Sequence, residues 1–271
     1  MANSRSGDSM LERFVRILSS FDATKSSMTV ASLSRRADVP LATAYRLVDE
    51  MARHELLSKE PNGQVRLGLR LWELANRSSP AVDMAQAAMP FMEDIQSVVR
   101  QHTQLAILKD DDVLVIERLS SRTSVVNQAK IAGRMPVHRT ALGMVQLAYS
   151  PNHVQESYLT RHPEAVASVD AVSFDFRRHL VEIRKRGYAA FDGRVDTDTT
   201  GLAVPVLGRS GHAIAAIGVV LPLGFENLQS LVPVLMAGAR GIARAVGEIP
   251  SGTEAPPSQF PLNEIGKADR L

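Results

Sequence analysis

The chain has 271 residues, 45% of them hydrophobic and 22% charged, with a formal net charge of +2. That length allows two domains with separate cores, and the balance is that of a globular rather than a disordered chain. The lack of cysteine excludes disulfides, thiolate metal sites and cysteine nucleophiles and agrees with a reducing cytoplasm; no apolar run suits a membrane span, and Met1–Asp8 has no apolar signal core.

Residues 1–79 carry twelve Lys/Arg against nine Asp/Glu, while the remainder is slightly acidic. A mildly basic N-terminal third is permissive for contact with phosphates. Helix one is predicted from Ser9 to Phe21, because Leu11, Phe14, Val15 and Leu18 fall on one face. Asp22–Ser27 breaks that pattern. Thr29 then caps a second helix carrying Val30, Leu33 and Ala37, and Pro40 begins a third that runs to His54. Ala44, Leu47, Val48 and Met51 form the buried stripe of helix three, and Ala42, Thr43, Tyr45, Arg46 and Asp49 lie opposite. Two helices joined by a short turn, the second exposing small, hydroxyl and basic side chains early, suit a recognition helix in a DNA groove. Leu56–Lys59 and Gln64–Leu67 flank Asn62-Gly63, a turn signal for a hairpin. Helix, helix, turn, helix and hairpin make a winged helix, with Lys59 and Arg66 near the wing. Winged helices also serve as protein-contact modules, so pattern alone leaves that alternative open.

Leu67, Leu71, Leu74 and Ala75 form a stripe, widened by Trp72, on a helix from Leu69 to Asn76. It can cover helix one or a partner subunit. Ser78-Ser79-Pro80 marks a boundary, followed by a helix over 81–101 kinked or restarted at Pro90, with Met92, Ile95, Val98 and Val99 inward. Strand-like runs at Gln104–Lys109 and Val113–Leu119 flank Asp110-Asp111-Asp112, read as a hairpin turn rather than a metal site, and Val125–Ile131 is a further strand candidate. Helices are predicted from Thr140 to Tyr149, from Pro151 to Thr160, and from a Ser173 cap to Arg186 before Gly187. Strands follow at Tyr188–Phe191, Leu202–Leu207 and Ala213–Leu221, then a helix from Asn227 to Val246. Strands interrupted by helices indicate an α+β domain on an antiparallel sheet.

The ordered motifs Leu41-Ala42-Thr43-Ala44-Tyr45-Arg46-Leu47, Val65-Arg66-Leu67-Gly68, Gly133–Met144, Arg186-Gly187-Tyr188, Leu202–Val206 and Ala215–Val219 resemble those of the IclR family of bacterial transcriptional regulators, over roughly residues 9–247. The resemblance implies a winged helix-turn-helix DNA-binding domain over 1–67, a linker helix over 68–80 and a GAF-like effector domain over 81–247; residues 248–271, with four prolines and little apolar periodicity, are expected to form a disordered tail. It also implies a double-stranded DNA operator, a small-molecule effector, a homodimer or dimer of dimers, and no cofactor. Thr43, Tyr45 and Arg46 become candidates for base contact, and Arg35, Arg36 and Arg66 for phosphates. Ala42 stands where many members carry Ser, and Glu55 where many carry Gly.

For the effector, the resemblance points to the loop Gly133–Leu142, the segment Asp192–Ala203 and the strand Ile217–Val220. Arg134 or Arg139 would meet an anion, His138 and Thr140 would hydrogen-bond, and Ala141 and Leu142 would offer backbone amides. Asp192 stands at the acidic or polar position that follows Tyr188. Gly201, Gly218 and Val220 occupy positions where the family often carries hydroxyl or thiol side chains. A roomier, less polar pocket is therefore expected, suited to an aromatic or otherwise bulky carboxylate rather than a two- or three-carbon keto acid. His138 between arginines invites a catalytic reading. No Ser-His-Asp order, nucleophile elbow, phosphate-cradling loop or metal-spaced histidine pair accompanies it, so the chain is read as a non-enzyme. The alternative is a metabolite-binding enzyme or sensor whose winged helix contacts protein.

Overall fold

The computed structural model describes residues 8–22, 25–121, 124–125, 127, 129–163 and 176–248. Helix α1 (Met10–Ser19) starts with a reciprocal cap: Glu12 N–H donates to Ser9 Oγ at 3.2 Å, and Ser9 N–H donates to the Glu12 carboxylate. Such a box satisfies two otherwise orphaned amides and contributes about 1 kcal/mol. Thr29 caps α2 (Val30–Arg36) in the expected way, its Oγ1 accepting from Ser32 N. In α3 (Leu41–Arg53) the predicted stripe of Ala44, Leu47, Val48 and Met51 is buried and packs against Ile17, Leu33, Met28 and Val65. Pro40 lies one residue before this helix, at its cap, rather than inside its first turn.

The wing is an antiparallel hairpin of β2 (Leu57–Lys59) and β3 (Gln64–Leu67). Gly63 supplies its left-handed turn residue at φ +79°. A third strand, β1 (Ser27–Thr29), pairs with the other edge of β3 through Met28↔Val65. Sequence reading puts Ser27 in the polar break and Thr29 at a helix cap, because three residues are too few for alternation to show. The turn after α3 closes without the glycine many family members carry: Glu55 itself adopts φ +60°. A left-handed non-glycine residue costs about 1–2 kcal/mol. Here it is held by Gly68, whose N–H donates to Leu56 O at 2.9 Å; a side chain at 68 would strike Glu55 O.

Helix α4 (Leu69–Arg77) has no buried residue. Helix α5 (Pro80–Val99) begins with Pro80 in its first turn and ends at Arg100, at φ +53°. It does not restart at Pro90. The proline ring is exposed, while Ala88, Met92, Ile95 and Val99 around it are buried, so packing holds the helix through the lost hydrogen bond. Val98, expected inward, is 58% exposed.

The larger domain is built on one antiparallel sheet. Its strands are β4 (His102–Lys109), β5 (Asp112–Leu119), β6 (Arg134–Pro136), β7 (Ala189–Asp192), β8 (Thr199–Leu207) and β9 (Ala213–Pro222). Their order is β6-β5-β4-β9-β8-β7, so the last strand of the chain inserts beside the first. Val125–Ile131 is not a strand among its described residues; β6 takes that edge through Leu114↔Arg134. The segment is instead tied down by side chains: His102 Nε2 meets Val125 O, and Arg118 donates to Ala129 O.

One face of the sheet carries α6 (Ala141–Ala148), α7 (Asn152–Arg161) and α8 (Phe176–Arg186), with Met144, Val145, Leu147, Tyr158 and Ile183 fully or nearly fully buried. The other face carries α5 and α9 (Leu228–Glu248), through Met92, Ile95, Leu235 and Ile242. Gly187 ends α8 at φ +83°, as expected of a C-terminal glycine. The Ser173 cap and the tail beyond residue 248 lie outside the described residues. The architecture is the α+β arrangement read from the sequence: a small winged helix, a linker helix and a sheet domain flanked by helices. No helix among the described residues is long and apolar enough to cross a membrane.

Candidate functional site

Two surfaces concentrate the residues singled out in the sequence. The first is the outer face of α3. Tyr45 is 51% exposed, Arg46 is exposed, and Thr43 is partly so, while their neighbours Ala44, Leu47 and Val48 anchor the helix in the core. This is what a 3.6-residue repeat dictates: one stripe holds the helix and the other is free to enter a groove. The basic residues differ in their commitments. Arg36 pairs with Asp22 at 3.0 Å, Arg66 with Glu60 at 3.0 Å, and Lys59 with Asp49 across the base of the wing. Arg35 and Arg46 are exposed and make no ion pair among the described residues, so their guanidinium groups are available without breaking one.

The second is a cavity at the head of α6, in which the centre of a water-sized sphere can move through about 50 Å³. Its walls come from the loop and first residues of α6 (Met135, Arg139–Leu142), from Phe191 of β7, and from Arg194–Asp196. Thr199, Gly201 and Leu202 of β8, Val219 and Val220 of β9, Gln104 of β4, and Asn127 with Ala129 complete it. Local sequence explains why α6 points into it. Thr140 caps the helix, its Oγ1 accepting from Gly143 N at 3.0 Å, which fixes where the helix begins. The amides of Ala141 and Leu142 precede any turn that could supply an acceptor, and the partial positive charge of the helix end lies there. Two arginines stand beside it. Arg139 donates to Arg194 O at 2.9 and 3.3 Å, and Arg194 donates back to His138 O at 3.2 Å, which locks the two loops together. The Arg194 guanidinium lies 3.9 Å from the centre of the Phe191 ring. Among the described residues of the lining, Asp196 is the one acidic side chain, against two arginines, so the charge balance favours an anion.

Behind this wall, His179 stacks on Phe191 with ring centres 5.6 Å apart. Burial, with Arg186 and Arg194 adding to it, lowers the His179 pKa below its ordinary value of 6.5, so its neutral form is favoured.

The structure places five of the nine expected effector residues in the lining: Thr140, Ala141, Leu142, Gly201 and Val220. The other four lie outside it. Arg134 points to the β4–β5 hairpin, near Asp110 and Asp112, and Arg139 takes the position at the cavity. His138 turns its ring to Tyr158, Nδ1 lying 2.9 Å from the phenol oxygen, and so pins the loop. Asp192 accepts from Thr200 Oγ1 at 2.6 Å on the outer edge of β7 and β8. Gly218 adds no space: a Cβ there would come 2.6 Å from Leu202 O and 2.9 Å from Ala203 Cβ, with Leu142 packed above. Gly201 differs, since its Cβ would only touch Ala141 Cβ at 3.7 Å. Thus one glycine opens the cavity and the other closes the sheet beneath it. Gln104 and Asn127 escaped the sequence reading, and Arg194 falls within the expected segment Asp192–Ala203 without being singled out. They arrive from a central strand, a tied-down loop and a β7–β8 connection that share no local signal. Asp111, in the turn read as a hairpin, forms a fork with Arg161 that lowers its pKa, and no metal-ligating cluster of three or more side chains occurs among the described residues.

Comparison with known proteins follows both surfaces. Residues 10–61 match the IclR helix-turn-helix domain, and residues 78–244 match the bacterial transcriptional regulator IclR C-terminal domain. The chain is 27% identical to the HTH-type transcriptional regulator XynR of Escherichia coli, over 76% of this chain and 83% of that protein. It is 22% identical to the Pca regulon regulatory protein of Pseudomonas putida, over 86% of this chain and 82% of that one. Among solved structures, an IclR homolog from Microbacterium hydrocarbonoxydans complexed with 4-hydroxybenzoate superposes with a TM-score of 0.81 at 39% identity, covering 88% of this chain and 99% of the other. A DNA-reading winged helix joined to an effector-binding sheet domain, matched by family over nearly the whole described chain, places this protein in the IclR family of bacterial transcriptional regulators.

Proposed function

We propose that this regulator is switched by a small aromatic carboxylate, bound at the head of α6, which alters its affinity for an operator controlling breakdown of that compound. The observation that carries the reading is the cavity itself: two arginines and a helix N-terminus at one end, and walls of Phe191, Leu202, Val219, Val220 and Met135 elsewhere. A few oriented polar groups in an apolar cleft suit an amphipathic anion. The 39%-identical relative, solved with 4-hydroxybenzoate, supports the same ligand class.

Thr43, Tyr45 and Arg46 are the base-reading candidates of this proposal, and Arg35, Arg36 and Arg66 those for phosphate. A homodimer, or a dimer of dimers, presents two such helices. The exposed Leu69, Trp72 and Leu74 of α4 offer the joining surface, since nothing among the described residues buries them. Recovering genomic fragments that bind the protein gives an operator. Titrating that complex with 4-hydroxybenzoate should then change operator affinity about tenfold or more, within the 1–3 kcal/mol usual for allosteric coupling. The ligand should be recovered chemically unchanged, as befits a regulator without catalysis. Tight calorimetric binding of pyruvate or glyoxylate, with none of any benzoate, would overturn the proposal.

A further inference from the structure

We infer that Gln104 and Asn127 form a specificity pole that reads a second polar group, a ring hydroxyl or equivalent acceptor, at the end of the effector away from its carboxylate. The inference rests on the effector reading above and narrows it to hydroxylated, or otherwise acceptor-bearing, aromatic acids.

Gln104 is 2% exposed, lines the cavity, and its Nε2 has no hydrogen-bond partner. Asn127 lines the same cavity, and its buried Nδ2 is likewise unpartnered. A buried donor left unpaired costs about 1–3 kcal/mol, which is why such groups are rare and call for an explanation. Two of them in one wall, otherwise apolar around them, amount to a preformed socket for an acceptor.

Both carboxamides are held in place by their surroundings. Gln104 pairs in register with Gly218 on one side and Arg118 on the other. Gly218 offers no side chain that could cover it. Arg118 donates to Ala129 O, His102 holds Val125 O, and Asn127 Oδ1 accepts from Ala129 N at 2.9 Å. The loop is thus fastened on both sides of Asn127, whose oxygen is already committed and whose nitrogen is not.

The distance from the anion end fits a substituted ring. The head of α6 stands over β8, Ala141 Cβ lying 3.7 Å from where a Cβ on Gly201 would be, whereas Gln104 belongs to β4, two strands away. Two strand spacings are about 10 Å, so one ring separates the poles. A carboxylate at the arginines and the α6 amides places the opposite ring edge at the two carboxamides. An apolar substituent there expels water and leaves both donors unpaired, and sites built this way reject the analogue that lacks the partner group.

The test is calorimetry on the full-length protein with benzoate, 4-hydroxybenzoate and 4-methylbenzoate, the last matching the hydroxyl in size without accepting a hydrogen bond. The wild type should bind 4-hydroxybenzoate about tenfold or more tightly than 4-methylbenzoate. Gln104→Leu and Gln104→Met, which leave Asn127 as the remaining donor, should each lower that ratio severalfold. The wild-type series needs no variant to fold and is decisive alone. Equal binding of the hydroxyl and methyl compounds would overturn this inference while leaving the effector reading intact. An undiminished ratio in either folded Gln104 variant would overturn it too. Failure of all three benzoates to bind would instead bring down the effector reading, and this inference with it.

Discussion

Gly201 and Gly218 lie on adjacent strands, and the structure separates what each would tolerate. At Gly201 a Cβ sits 3.7 Å from Ala141 Cβ, an ordinary contact, so alanine fits and larger side chains must grow into the cavity. Gly201→Ala should keep the fold and gain about 0.5–1 kcal/mol, since alanine loses less backbone freedom on folding. In Gly201→Leu three further carbons occupy space the ligand ring needs. Forcing extra methylenes into a filled site costs about 1–3 kcal/mol, which at 1.4 kcal/mol per decade is roughly 5- to 150-fold in ligand affinity. Operator binding without ligand should be nearly unchanged, because no winged-helix residue is among those lining the cavity around Gly201. At Gly218, by contrast, even alanine brings Cβ to 2.6 Å from a backbone carbonyl, so Gly218→Ala should lower stability by about 1–3 kcal/mol. Calorimetry with 4-hydroxybenzoate, operator anisotropy and thermal melts measured together would check the set. Undiminished ligand affinity in a folded Gly201→Leu protein would refute the placement of the cavity wall, and a fully stable Gly218→Ala would refute the packing argument.

Three further outcomes are expected. Arg46→Ala should weaken specific operator binding by about 1–3 kcal/mol if the arginine reads a base, whereas Arg35→Ala should weaken all sequences alike and reduce the salt slope; anisotropy at several salt concentrations distinguishes them. Trp72→Glu, on the uncovered face of α4, should shift sedimentation toward smaller species and weaken operator binding at low protein concentration. His179 has a folded pKa below its unfolded value of 6.5, so the unfolded state binds the extra proton first. Its contribution is therefore complete above that pH and declines as pH falls below it; His179→Gln should flatten the dependence of melting temperature on pH between about 5 and 7.

Local pattern was enough for the elements whose signal is local. The α3 stripe of Ala44, Leu47, Val48 and Met51, the Thr29 and Thr140 caps, the turn at Gly63 and the glycine ending α8 each depend on spacing or on one residue's backbone preference, and all are read from neighbours in the chain. The family and the α+β architecture follow from the same ordered signals. What tertiary structure alone decided is everything that depends on a distant edge or a shared face. Strand β1 exists because β3 has an open side, and α5 runs through Pro90 because packed neighbours compensate a lost bond. The same holds at the cavity. Two glycines look alike in sequence, but β9 is clamped between β4 and β8 under Leu142, whereas Gly201 faces only the head of α6. Arg139 rather than Arg134 meets the cavity because the loop turns one way at Val137–Arg139, and His138 is drawn off to a tyrosine twenty residues on. Gln104 reads in the sequence as one polar residue in a strand. Only the burial of its strand between β5 and β9, beneath a loop fastened from both sides, makes its carboxamide an unpaired donor facing the cavity.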